Sequence, residues 1–104
     1  MGSLCVCSTV FRSEKNAYMN EAWGSIYDTT DTFAAPAYPV EFKSVPASVF
    51  EYGGGDEDTS YAGAVYRRIS TITAKTAGEV WMSRPDKGVT IGHPCFAVIA
   101  MGIV

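Results

Sequence analysis

The sequence predicts an all-β fold, a small antiparallel β-sandwich, and three observations carry this prediction. Short runs rich in Val, Ile, Tyr and Phe alternate with turn signals along the 104 residues. No segment shows the apolar spacing of a convincing amphipathic helix. The chain ends on an almost unbroken apolar run, Cys95–Val104, in which β-branched residues and Gly102 disfavour a helix. We expect this terminal run to be a central strand that is buried on both faces.

The first quarter of the chain predicts strands separated by polar turns. Leu4–Phe11 is a β-branched run that suits a first strand, and Arg12–Asn16 is a polar turn. Ala17–Ala22 is ambiguous between a strand and one short helical turn. Strand chemistry resumes at Trp23–Tyr27, where Gly24 is expected to make room for a bulge or a neighbouring backbone.

Prolines punctuate the middle of the chain. Asp28–Thr32 is turn material, because Asp and Thr side chains can bond to the local backbone. Phe33–Tyr38 is expected to run extended along a sheet edge, since proline cannot donate to a ladder. Val40–Phe42 and Ala47–Tyr52 offer two strand fragments. Their interruption by Pro46 indicates a sheet edge or a crossing between sheets.

The second half begins with the clearest loop signal in the sequence. Gly53–Ser60 combines three glycines with three acidic residues, so we expect it to project into solvent. Ala62–Ala74 is the longest strand candidate. The chain turns at Thr76–Gly78, returns along Val80–Ser83, and turns again at Pro85–Gly88, which is a β-turn signal.

Length and composition limit the class of protein. A chain of 104 residues fits one domain, residues 1–104, that can bury a core without disulfide staples. Met1-Gly2-Ser3 can be interpreted as a cloning remnant or an internal start, in which case the domain is the C-terminal part of a longer chain. A net charge of −3 without clustered Lys and Arg argues against nucleic-acid binding. Hydrophobic content of 47% against 18% charged residues indicates apolar contacts between copies.

Cysteine usage and the two ends of the chain indicate the compartment. An odd number of cysteines, three, argues for assembly in a reducing cell, although a Cys5–Cys95 or Cys7–Cys95 bridge is geometrically open at this point. No basic segment precedes the first apolar run, so no signal peptide is expected. The terminal run has about half of the roughly 20 residues that a membrane helix needs, so no membrane insertion is expected.

Aromatic residues, prolines and glycines follow a fixed order from Trp23 onward. The elements of this order are Ala22-Trp23-Gly24-Ser25-Ile26, Tyr38-Pro39-Val40-x-Phe42-x-x-x-Pro46-x-x-Val49, Thr76-Ala77-Gly78-x-Val80, Arg84-Pro85 and an alanine-containing terminal strand with a late glycine. This layout, from about Trp23 to Val104, resembles the C-terminal head domains of bacteriophage and prophage tail fibres, and it is similar to H-type lectin-like tip domains.

The resemblance implies a small antiparallel β-sandwich that assembles as a homotrimer at the distal tip of a fibre, where it touches the host surface. It also implies a virion protein that is assembled in the bacterial cytoplasm, which agrees with free thiols and the lack of a signal peptide. The sequence departs from the lectin-like pattern because it has no obvious sugar-contact motif.

Few residues offer catalytic or metal-binding chemistry. His93 is the one histidine and is expected in a turn between Gly92 and Pro94, with no orienting carboxylate or nucleophile evident from sequence. The acidic run Asp56–Asp58 matches no calcium-loop spacing, so we interpret it as a solvated loop. We therefore expect no catalytic residue, no metal site and no cofactor.

Aromatic and charged residues around the glycine-rich loop are the candidate ligand-binding residues. Aromatic faces stack on the C–H surfaces of sugars while hydroxyl, carboxylate and guanidinium groups bind sugar hydroxyls, although core packing is the competing explanation for each aromatic residue. The candidates are Tyr61, Tyr66, Trp81, Arg84 and Asp86.

The sequence therefore favours a non-enzymatic tail-fibre tip domain that attaches to a host-surface glycan or protein as a homotrimer. A structural trimerising cap without a ligand is the first alternative. A small metal-dependent hydrolase is the second, and it would need His93 or the Asp56–Asp58 run for turnover.

Overall fold

The terminal strand is the longest element of the fold in the computed structural model, which describes residues 2–56 and 64–104. The described residues form an all-β antiparallel sandwich, as the sequence predicts. The eight strands are β1 (Leu4–Arg12), β2 (Ala17–Trp23), β3 (Ile26–Thr29), β4 (Phe33–Ala34), β5 (Ala47–Asp56), β6 (Ala64–Arg67), β7 (Glu79–Arg84) and β8 (Val89–Ile103). A single 3₁₀ turn, Ile69–Thr71, is the one helical segment among these described residues.

Strand β8 belongs to two sheets and joins them. Its second half lies between β1 and β5, and these three strands form the first sheet. Its first three residues pair with β2, which leads through β3 to β7 and forms the second sheet. Strands β4 and β6 pair with β7 in that second sheet. The prediction that the terminal run is a central strand is confirmed.

The core lies between the two sheets and is centred on Phe96 of β8. Its ring contacts Phe11 and Phe50 in the first sheet at centroid distances of 5.5 Å each, and Phe33 of the second sheet at 5.4 Å. The buried hydrophobic cluster comprises Ala17, Met19, Phe33, Phe50, Ala77, Val80, Met82, Ile91, Phe96 and Val98. Both sheets therefore contribute side chains to one core.

The expectation that the terminal run is buried on both faces is wrong for the single chain. Phe96, Val98 and Ala100 point into the core, but Ile99 is 53% exposed and Met101 is 49% exposed. The second sheet covers only one side of the first, so the other side faces solvent. We call that side the outer face. Its large side chains are Leu4, Val6, Val10, Val49, Ile99, Met101 and Ile103.

The ambiguous segment after the first turn is a strand, and the helical alternative is wrong. Ala17 and Met19 are buried while Tyr18 between them is exposed, which is the two-residue period of a strand. Gly24 makes no room for a neighbour, because nothing lies within 4 Å of where its side chain would start. It instead begins the two-residue hairpin turn between β2 and β3, with the positive φ of 61° that type II′ turns require.

The glycine run does not form a loop over its described part. Gly53–Asp56 continues β5 and pairs with β8, with register shifts on both sides of Gly54. Gly54 has a φ of 113°, which a side chain would strain, so glycine here permits a bulged strand. Residues 57–63 lie outside the described part of the chain.

The prediction that Ala62–Ala74 forms the longest strand is wrong in its described part, because the longest strand is β8. Only Ala64–Arg67 is strand, and the chain then makes the 3₁₀ turn at Ile69–Thr71. The prediction of a strand at Val40–Phe42 is also wrong, because this segment pairs with no strand. Its Phe42 side chain is buried beside Gly102. The predicted turn at Pro85–Gly88 is confirmed, and Gly88 there has a φ of 81°.

The register of the first sheet excludes the two cysteine bridges that the sequence left open. Cys95 pairs with Arg12 on the outer face, whereas Cys5 and Cys7 pair with Gly102 and Ala100 on the inner face. All three cysteines are free thiols. Within residues 2–56 and 64–104, the structure has no helix of the length and apolar character needed to cross a membrane.

Candidate functional site

Two of the predicted ligand-binding residues lie side by side on the second sheet. Tyr66 of β6 is directly opposite Trp81 of β7 in the ladder, so both rings leave the sheet on the same face. Val65 and Met82 alternate with them and point to the core side. Tyr66 and Trp81 are therefore on the face of the second sheet that points away from the core.

Trp23 completes this aromatic surface, and sequence reasoning missed it. Trp23 ends β2 beside the hairpin turn and meets Tyr66 edge to face, with centroids 5.3 Å apart and planes at 88°. Trp23 is 58% exposed, whereas tryptophan is on average highly buried. Its exposure therefore makes it a candidate for ligand contact. The available signal was a tryptophan directly before a Gly-Ser turn, where a strand end places a side chain at the rim of a sheet.

A carboxylate lies at the base of the aromatic surface. Asp28 of β3 pairs with Ser83 of β7, two residues from Trp81 and on the same face. The Ser83 hydroxyl donates a short hydrogen bond to Asp28 Oδ1. Ser83 is only 3% exposed although it faces away from the core, so the surrounding side chains cover it. Asp28 is thus fixed in orientation, and a carboxylate can accept further hydrogen bonds.

These residues enclose an open cleft of about 510 Å³, within the size range of small-molecule sites. Its lining residues are Ala22, Trp23, Asp28, Tyr66, Arg67 and Trp81. We call this the aromatic cleft. Two large aromatic faces, a tyrosine hydroxyl and one carboxylate are the groups that a shallow carbohydrate site uses.

Arg67 forms one wall of the cleft but its guanidinium is used inside the protein. Nη1 donates to the Ser48 carbonyl at 3.0 Å, and Nη2 donates to Ser48 Oγ at 2.7 Å and to the Ala77 carbonyl at 2.8 Å. These bonds tie β6 to β5 of the first sheet. Arg67 pairs with buried Val80, so its side chain lies on the core side of β6, where these bonds hold the cleft wall in place.

The remaining predicted residues do not join the cleft. Arg84 was expected in an exposed charged turn, but it is 4% exposed, because β7 continues through it and it points to the core side like Val80 and Met82. Asp86 is exposed in the following turn and does not line the cleft. Tyr61 lies outside the described residues.

A second, smaller cleft of about 270 Å³ lies between β1 and the Pro36–Pro39 segment. Cys7, Tyr38 and Val98 line it. The Sγ atoms of Cys5 and Cys7 are 3.8 Å apart here. Burial raises the pKa of the Cys7 thiol, and its hydrogen bond and charge interaction with Cys5 raise that pKa further. A raised thiol pKa disfavours the thiolate, which is the nucleophilic form.

His93 and the acidic run occupy structural positions in the described residues. His93 lies within β8 rather than in a turn, with a positive φ of 44°. Its Nδ1 is 3.1 Å from the Ser13 carbonyl, and its backbone N–H donates to Asn16 Oδ1 at 3.3 Å. Asp56 forms an ion pair with Arg12, while Glu57 and Asp58 lie outside the described residues. The described part of the chain holds no group of three or more His, Cys, Asp and Glu side chains that could bind a metal ion.

Comparisons with protein-family models, curated proteins and solved structures find no match to this chain. The aromatic cleft therefore has to be interpreted from its own chemistry. Two of its three aromatic residues, Trp23 and Tyr66, are exposed, its one carboxylate is oriented by a buried hydroxyl, and its wall is held by an internal arginine.

Proposed function

We propose that this chain is a non-enzymatic attachment domain of a phage tail fibre, located in the virion tail, that binds a host-surface glycan in the aromatic cleft as a homotrimer. The observation that carries the proposal is the aromatic group of exposed Trp23, exposed Tyr66 and half-buried Trp81 beside the oriented carboxylate of Asp28. The order of aromatic residues, prolines and glycines that resembles tail-fibre head domains supports the fibre setting.

The chemistry of the cleft favours a sugar over other small ligands. A pyranose has a C–H face that packs on an aromatic ring and hydroxyl groups at its rim that donate hydrogen bonds. Trp23 and Tyr66 would contact the C–H face, and Asp28 would accept from a hydroxyl. An anionic ligand is disfavoured, because the guanidinium of Arg67, the arginine among the lining residues, is already bonded to Ser48 and Ala77.

An open cleft of this kind gives weak binding to each copy, and a trimer compensates by multivalency. Three sites held on one axis convert the second and third contacts into intramolecular events, which raises avidity without new contacts. Attachment to a cell surface that carries many copies of one glycan fits this arrangement.

Binding of the trimer to a glycan array and to host cells tests the proposal. Replacing Trp23→Ala should lower glycan binding at least tenfold, because stacking on an exposed aromatic face is lost while the fold stays intact. Tyr18→Ala is the matched control, since Tyr18 is an exposed aromatic residue of the same strand outside the cleft. Glycan binding that survives Trp23→Ala, or falls equally with Tyr18→Ala, would contradict a site in the aromatic cleft.

A structural cap that trimerises without a ligand is the second candidate, and the apolar outer face favours it. A cap needs that face and not the aromatic cleft. Host-cell adhesion of the fibre that is unchanged by Trp23→Ala, together with no binding to any glycan on the array, would support the cap.

A further inference from the structure

We propose that the outer face of the first sheet is the surface through which copies of this chain pack against one another. This inference rests on the homotrimer of the proposed function and names its interface. The face is defined by alternate residues of β1, β8 and β5, which the ladder places in rows across the sheet.

These rows consist mainly of apolar side chains of the kind found in a protein core. One row joins Leu4 to Ile103, and the next joins Val6 and Met101 to Ala47 of β5. Antiparallel sheets with one solvated side usually alternate apolar-in and polar-out, and exposed strands carry charges that prevent association. These rows instead carry apolar side chains on the solvent side, and this composition is typical of a surface that another molecule covers.

Charged residues appear only where the face ends, among the described residues of the three strands. Val10 shares a row with Ala97 and Glu51, and the row beyond it begins with Arg12. The neighbouring row consists of Ser8, Ile99 and Val49, and its one polar group is the Ser8 hydroxyl. The face is therefore an apolar rectangle with a polar boundary, which is the anatomy of an interface.

The extent of the outer face is that of an interaction surface. Val10 is 78% exposed, Leu4 64% and Val6 61%, and each of the seven large residues of the face is exposed by at least 44%. Seven large apolar residues that are exposed side by side make the outer face a large contiguous apolar patch, which is the mark of an interaction surface.

A second copy is the occupant that the chemistry favours. The covering surface must be flat, aliphatic and of the same size, and the outer face of another copy has these properties. Sheets pack face to face about 10 Å apart with interdigitating side chains, and homo-oligomers close by cyclic symmetry. In a trimer three outer faces would turn toward the common axis, and each would divide its area between its two neighbours.

Molar mass from size-exclusion chromatography with light scattering tests the interface on the full chain at micromolar concentration. We expect the mass of three chains for the unchanged protein and of one chain for Ile99→Lys and Val6→Lys. Both variants should keep the far-ultraviolet circular dichroism of the fold, because these positions are exposed in the single chain. Thr90→Lys is the matched control, since Thr90 is exposed on the same strand outside the face, and it should leave the mass unchanged.

The possible outcomes separate this inference from the proposed function. A monomeric unchanged protein, or a trimer that persists in both lysine variants, would overturn the interface. A monomer that co-sediments with phosphatidylcholine vesicles would overturn it by assigning the face to lipid. A mass of two chains that falls to one in the variants would support the interface and overturn the trimer. Trp23-dependent glycan binding by a monomer would support the glycan site in the cleft and overturn the interface. A trimer that becomes monomeric in the lysine variants but binds no glycan would support the interface and overturn the glycan site.

Discussion

Both faces of strand β8 are apolar, but one is buried and the other is exposed to solvent. Phe96, Val98 and Ala100 are buried in the interior, while Ile99 and Met101 between and beside them are about half exposed. Hydrophobicity alone therefore does not separate the residues that make the fold from those left for contacts outside it. The separation comes from which side of the first sheet the rest of the chain covers.

The difference between the faces is also a difference in how uniquely the side chains are held. On the inner face Phe96 touches four aromatic rings, those of Phe11, Phe33, Phe50 and Tyr52. On the outer face the side chains are aliphatic and meet solvent on one side. The inner face specifies how the two sheets pack within one chain, whereas the outer face can be satisfied by any flat apolar partner of the right size.

The largest expected effect is that of Phe96→Ala on the inner face. Removing a fully buried aromatic side chain from the centre of a core costs about 3–5 kcal/mol of unfolding free energy. For a domain of this size that is enough to leave it partly unfolded. Urea unfolding monitored by fluorescence measures the loss. The outer-face comparison is Ile103→Ala in the Ile99→Lys background, in which we expect a monomer. This change should cost less than about 1 kcal/mol, and equal costs for the two substitutions would erase the distinction between the faces.

The second prediction concerns the inner face near the end of β8. A side chain at Gly102 would begin 2.9 Å from Phe42 Cδ1 and 3.0 Å from Pro46 Cβ, so Gly102→Ala requires the Phe42 ring and Pro46 to shift away from the strand. We expect a loss of about 1–3 kcal/mol, measured by urea unfolding. Gly53→Ala is the control, because its nearest contact, the Cys95 carbonyl, is an ordinary 3.6 Å away. A stability of Gly102→Ala equal to that control would show that this segment is not packed on the strand.

The sequence could predict the position of strand β8 but not which of its two faces is exposed. Cys95–Val104 was correctly predicted as the central strand, because β-branched residues and a glycine disfavour a helix locally. Its exposed face could not be predicted, since a run without alternation carries no information about which side is covered. The Gly53–Asp56 strand was missed for a related reason, because its pairing with β8 is a long-range contact that overrides the local preference of glycine for loops.

The candidate site was partly predictable for the same reasons. Tyr66 and Trp81 were identified by residue type, and the ladder between β6 and β7 places them together. Trp23 comes from a strand more than forty residues earlier, so only the order of strands in the second sheet brings it to Tyr66. Arg84 was misplaced because its neighbours Pro85 and Asp86 are turn residues, although strand alternation from Val80 points it inward.

The smallest expected effect lies at the polar boundary of the outer face, where Arg12 Nη2 and Asp56 Oδ2 are 2.6 Å apart. Both side chains are 53% exposed, so solvent screens the pair and Asp56→Asn should change the unfolding free energy by less than about 0.5 kcal/mol. The change should vanish in 1 M salt, where the screening length is about 3 Å. Urea unfolding at low and high salt measures it, with Lys75→Gln, which removes the exposed pair with Glu41, as the matched control. A loss of several kcal/mol that persists in high salt would mean that this end of the face is covered, because an ion pair is worth that much only away from water. The outer face would then extend past its polar boundary, and the contact between copies would include the Arg12–Asp56 pair.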